Sequence, residues 1–160
     1  MADTQALDVY MNDHLAGSAA AVELVERIRD NNEGTDLARA MESLLGDIEA
    51  DQATLATIME RLGVDPSSPK QAAGKVLETL SRFRLNERVT GSAEVSLLME
   101  LETLSLGIEG KLALWRSLGE VTGSLDGLAA FDLPTLAARA VSQRAVVEPF
   151  RLEAARAALA

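Results

Sequence analysis

Residues 37–62 place apolar side chains at Leu37, Met41, Leu44, Ile48, Leu55, Ile58 and Leu62, with Asp51 in the one remaining position of a four, three, four, three repeat. That spacing puts the whole set on one α-helical face, which has to be buried. Three other segments show related patterns. Thr4 to Asn31 carries the stripe Leu7, Tyr10, His14, Gly17, Ala21, Leu24 and Ile28. Ala93 to Val121 is apolar on most faces, with Val95, Leu98, Leu101, Leu104, Ile108 and Leu112 among many. The last segment starts at Asp132-Leu133-Pro134 and shows Leu136, Ala140, Gln143, Val147, Phe150 and Ala154. Four amphipathic helices that bury their apolar faces against one another make an all-α, four-helix bundle.

The punctuation agrees with this division. Asn31-Asn32-Glu33-Gly34 reads as a turn, with Gly34 suited to the left-handed backbone that ends helices. Thr35 is an N-cap, and Asp36 sits favourably at the positive end of the second helix. Gly63 closes that helix. Ser68-Pro69-Lys70-Gln71 reads as another helix start, and a short helix is expected from Pro69 to Phe83 with Ala72, Val76, Leu77 and Leu80 inward. Arg82, Arg84 and Arg88 around Phe83 and Leu85 are read as a solvated crossover. Gly123 to Phe131 is a turn region, and Pro149 should kink or split the fourth helix. A helix of roughly 26 residues spans about 39 Å. A long, partly helical connection can cover that length, which would make the second and third helices parallel.

Composition narrows the function classes. A chain of 160 residues suits one domain, residues 1–160. Aromatics are only 3%, so Leu, Ala, Val, Ile and Met must fill the core. The net charge of −10 disfavours nucleic acid and anionic membrane surfaces as partners. Without cysteine there is no disulfide and no thiolate chemistry. No signal peptide or membrane-length apolar run is read in the sequence, so a cytoplasmic location is expected. The apolar coverage of the third helix predicts a homodimer through that helix.

Polar interruptions of the apolar stripes are the candidate functional residues. Reflecting each helical hairpin about its turn brings His14, Asp51, Glu109 and Gln143 to one level, one residue from each helix. Glu109 also shares a face with Glu102 and Ser105, beside Gly107 and Gly110. The glycines suggest either close helix approach or room for a ligand. Three readings stand for this layer: a hydrogen-bonded polar tie that fixes register, a metal site for iron, manganese or zinc, or four residues that do not converge and reach solvent.

The hairpin–crossover–hairpin plan resembles the ferritin-like superfamily over nearly the whole chain. Members that bind two metals use a Glu on the first and third helices and Glu-x-x-His on the second and fourth. The nearest matches here are Glu49-Ala50-Asp51-Gln52 and Glu148-Pro149-Phe150-Arg151, with Gln and Arg in the histidine positions. The resemblance therefore implies the scaffold and not the dinuclear chemistry. The sequence predicts a non-enzymatic scaffold or interaction module without a cofactor, with a degenerate metal site at His14, Asp51, Glu109 and Gln143 as the alternative.

Overall fold

The computed structural model describes residues 4–66 and 92–160. Among these the chain forms four long α-helices, one 3-10 turn and no strand: α1 Thr4–Asn31, α2 Asp36–Leu62, α3 Ala93–Glu120, and α4 Leu133–Leu159, with the 3-10 turn at Asp126–Ala130. The expected short helix at Pro69–Phe83 and the arginines at 82, 84 and 88 lie outside the described residues. No described helix is long and apolar enough to cross a membrane.

Local chemistry sets the helix ends. Thr35 caps α2 by accepting a hydrogen bond from the Ala38 amide, and Ser92 and Asp132 do the same for Val95 and Thr135. Gly63 ends α2 at φ +68°, a backbone region where a Cβ is strained. The 3-10 turn then backs onto that end of α2. A Cβ on Gly127 would stand 3.0 Å from Leu62 and 3.3 Å from the Arg61 carbonyl oxygen, so only glycine fits without a shift. Nearby the Arg61 guanidinium lies 5.5 Å from the centre of the Phe131 ring.

Packing follows the sequence pattern closely on α2 and α4. Every residue of the α2 stripe except Leu62 is buried, Asp51 included. On α4, Leu136, Ala140, Gln143, Val147 and Ala154 are buried, and Phe150 packs against the core. The helix runs unbroken through Pro149, contrary to the expected split. Buried Val147 and the Arg151–Glu148 and Arg151–Glu102 ion pairs hold the flanking turns in place. Tertiary packing thus outweighs the roughly 3 kcal/mol local penalty of an interior proline.

On α1 the buried face is turned relative to the expected stripe. Met11, Leu15, Ala20, Leu24, Val25 and Ile28 are buried, whereas Leu7, Tyr10, His14 and Ala21 are half-buried and Gly17 is exposed. On α3 most of the apolar coverage is used inside the chain. Leu98, Leu101, Leu104, Ile108, Leu112, Leu114, Trp115 and Leu118 are buried, and Leu106 is the large apolar residue left exposed on that helix, at 72%.

The helix order around the bundle is α2, α1, α3, α4, with α4 closing back on α2. Arg29 reaches Glu42 and Gln52 reaches Ser18, so α1 and α2 are antiparallel. Arg27 pairs with Glu100, while the region around His14 faces Gly107 to Leu114. The α1 and α3 axes are therefore also antiparallel, and α2 and α3 run in the same direction. Gly107→Ala, in a helix interior where a Cβ meets nothing within 4 Å, is expected to stabilise the protein by about 0.5–1 kcal/mol. Gly63→Ala should destabilise it by about 1 kcal/mol, both read from urea unfolding curves.

Candidate functional site

The polar centre of the bundle is built on Asp51, whose residue exposure is 2%. It projects from the apolar face of α2 and would be an isolated buried charge without partners from the facing helices. Those partners come from α3 and α4. Lys111 Nζ donates to Asp51 Oδ2 at 2.5 Å, and Gln143 Nε2 donates to the same oxygen at 3.0 Å. Arg139 Nη2 donates to Oδ1, and Lys111 also donates to Gln143 Oε1. Asp51, Lys111 and Gln143 thus form a closed triangle in which each is bonded to the other two. Arg139, one helical turn before Gln143, completes the carboxylate from the outer side.

Charge within the cluster is uneven, with one carboxylate facing an ammonium and a guanidinium. Burial pulls the Lys111 ammonium below the ordinary lysine pKa, and the hydrogen bond and charge of Asp51 offset this only in part. The Arg139 side chain is about a third exposed, while its Nε is buried without a hydrogen-bond partner. Deleting one partner of such a pair is costly because the other stays desolvated with nothing to compensate it, which is worse than an apolar core.

The four residues expected to share a layer are divided. Asp51 and Gln143 meet directly. Glu109 lies on the outer side of α3, where its half-exposed carboxylate accepts from Arg144 at 2.6 Å. It belongs to a surface ion pair that screening makes weak. His14 is half-buried and packs edge-on against Tyr10, with ring centroids 4.7 Å apart. Among the described residues no hydrogen bond links it to Asp51. Burial lowers the His14 pKa, and neighbouring Asp13 only partly counters this.

Sequence reasoning missed Lys111 and Arg139. A signal for Lys111 was present, since Leu101, Leu104, Ile108, Lys111, Trp115 and Leu118 repeat the same three-and-four spacing as the α2 stripe. Lys111 is the polar member of that stripe, as Asp51 is of α2 and Gln143 of α4. Arg139 carries no such signal; its aliphatic stem lies at the bundle edge and only its head reaches in.

His14 and Asp51 are separated by a cavity of about 210 Å³ between α1, α2 and α3. His14 and Gly17 from α1, Asp51 and Leu55 from α2, and Gly107 and Lys111 from α3 are among its walls. It exists because small residues face one another across the α1–α3 seam: a Cβ on Gly17, Gly107 or Gly110 would meet nothing within 4 Å. The glycines therefore leave room and do not mark a close helix contact. The Nε1 of Trp115, another wall residue, is buried without a hydrogen-bond partner.

No family model, curated protein or solved structure matches the chain. The chemistry of the site has to be argued from its own residues. A cation site needs converging neutral or anionic donors. Among the described residues no three His, Cys, Asp or Glu side chains stand close enough to hold a metal ion. The one buried carboxylate is already engaged by two cationic side chains.

Asp51→Ala should cost about 3–5 kcal/mol of unfolding free energy, because it leaves the Lys111 ammonium in the bundle interior without its carboxylate and the Gln143 amide N–H without its acceptor. The triple variant Asp51→Leu, Lys111→Met, Gln143→Leu should return to within about 2 kcal/mol of the parent in the same urea titration. For His14 the folded-state pKa lies below the reference value of 6.5, so the unfolded chain binds more protons in the interval between them. Its contribution to stability is full above that reference value and is lost as pH falls through the folded value. Thermal melts across this interval should show a shallower loss on acidification for His14→Gln than for the parent.

Proposed function

We propose that this chain is a non-enzymatic, ferritin-like helical bundle that serves as a scaffold or interaction module and ties its core together without a metal. The observation that carries the reading is the capture of Asp51 by Lys111, Arg139 and Gln143. Ferritin-like metal centres are built from carboxylates and histidines projecting inward from the four helices. In this chain an ammonium and a guanidinium take up the core carboxylate instead. A divalent cation at the same place would have to displace both and face their charge at short range.

The helix directions support the ferritin-like part of the reading. α2 and α3 run the same way, which is the arrangement that a one-crossover plan requires. The departures at Gln52 and Arg151, where metal-binding members carry histidine, point the same way as the Asp51 cluster. Gln52 donates instead to Ser18 on α1, and Arg151 pairs with Glu148 and Glu102.

Protein purified without a histidine tag is expected to carry iron, manganese and zinc far below stoichiometry by mass spectrometry. Near-stoichiometric metal that disappears in His14→Ala or Asp51→Asn would overturn this reading and restore the metal-binding alternative.

A further inference from the structure

The cavity beside the Asp51 cluster has hydrogen-bond donors with nothing to donate to. Lys111 uses two of its three N–H groups, on Asp51 and Gln143. The Trp115 indole N–H has no acceptor at all, although Trp115 is only 1% exposed. Both residues line the cavity. The buried acceptor beside them is not available, since both Asp51 oxygens already receive bonds from Lys111, Gln143 and Arg139. The same groups carry a surplus of positive charge, one carboxylate against two cations. Asp13 at the cavity edge and Asp47, whose charge also acts on Lys111, are negative, but both are exposed, and water and salt screen them.

His14, Ser18 and Gln52 border the cavity on the α1–α2 side, and Ile48, Leu55, Ile108 and Leu114 give the rest of the wall an apolar face. A volume of about 210 Å³ exceeds the roughly 150 Å³ that accepts a benzene ring in an engineered protein cavity. It has room for one ring or a short branched chain together with a small polar head. An apolar pocket with a few converging donors and an uncompensated positive charge is suited to a hydrophobic anion.

We propose that this cavity binds a small hydrophobic monocarboxylic acid, with its carboxylate on Lys111 and its hydrocarbon body among Leu55, Ile108 and Leu114. The acid supplies an acceptor for the spare Lys111 N–H and the Trp115 indole and balances the charge of the cluster without disturbing Asp51. The glycines at 17, 107 and 110 keep the space open. This inference does not depend on the absence of a metal, and it assigns the bundle a ligand whatever its wider role.

Trp115 is the only tryptophan in the chain, so its fluorescence reports on the cavity wall directly. Benzoate is the probe, with benzamide as its uncharged counterpart of the same shape, followed by tryptophan emission and by calorimetry on the full-length protein. Benzoate is expected to bind one site per chain with a Kd of about 0.1–1 mM. Benzamide should bind at least about tenfold more weakly, having no charge to offer Lys111. Lys111→Met should abolish benzoate binding, but it also disturbs the Asp51 cluster. Gly110→Leu fills the cavity from a position where a Cβ is free of contacts, and should lose binding about tenfold or more while its circular dichroism stays helical. Equal affinity for benzoate and benzamide would overturn the carboxylate assignment. Unchanged binding in Gly110→Leu would overturn the placement, and absence of saturation at about 20 mM benzoate would mean that the cavity holds only water.

Discussion

A single buried carboxylate decides how the two helical hairpins meet. Asp51 leaves α2 on its apolar face and is received by Lys111 of α3 and by Arg139 and Gln143 of α4. Apolar packing is nearly indifferent to small slides of one helix along another, because one leucine can replace the next in a groove. A charge in a low-dielectric interior is not indifferent. Moving α4 by one turn would take Gln143 and Arg139 away from Asp51, leaving the Asp51–Lys111 pair short of two partners and the Gln143 amide buried without its own. The cluster contributes little net stability compared with an apolar layer of the same volume, and its effect is to select one register among several similar ones.

The same region shows how polar order and empty space coexist. On the α4 side of Asp51 both carboxylate oxygens are engaged, and the Arg139 Nε is left buried without a partner. On the α1 side it opens into a cavity, because Gly17, Gly107 and Gly110 withhold the side chains that would fill it. The α1–α3 seam is held further along by the Arg27–Glu100 pair, which is mostly shielded from water and measures 2.8 Å. The seam is therefore pinned at one end and open in the middle.

Much of this fold was legible in the amino-acid sequence, and the exceptions have specific physical causes. The strict three-and-four repeats of α2 and α4 are made of large apolar residues, so they predict the buried faces correctly and identify Asp51 and Gln143 as buried polar members. The α1 stripe was weighted by Gly17 and Ala21, which have almost no side chain to bury. The true face runs through Met11, Leu15 and Leu24, leaving His14 at the margin. On α3 the apolar residues nearly encircle the helix, which blurs the buried face and makes Glu109, which faces outward, hard to tell from Lys111, which faces inward. Lysine is also expected at the surface on general grounds, and only its position in the Leu104, Ile108, Trp115, Leu118 stripe marks it as internal. At Pro149 local chemistry favours a break, and α4 stays continuous there with an ion pair from Arg151 to Glu102 on α3, a contact that local sequence does not show.

The surplus of cations at the Asp51 cluster has the opposite sign from the protein as a whole, whose net charge is −10. The bundle is thus positive at its centre and negative at its rim. Added salt shortens the range of the repulsion among surface carboxylates to a Debye length of about 8–10 Å near physiological ionic strength. It acts less on the contact between Lys111 and buried Asp51. Ionic strength therefore acts on the outer shell of charge and largely spares the inner one, relieving the repulsion that works against compactness while leaving the contact that sets helix register in place.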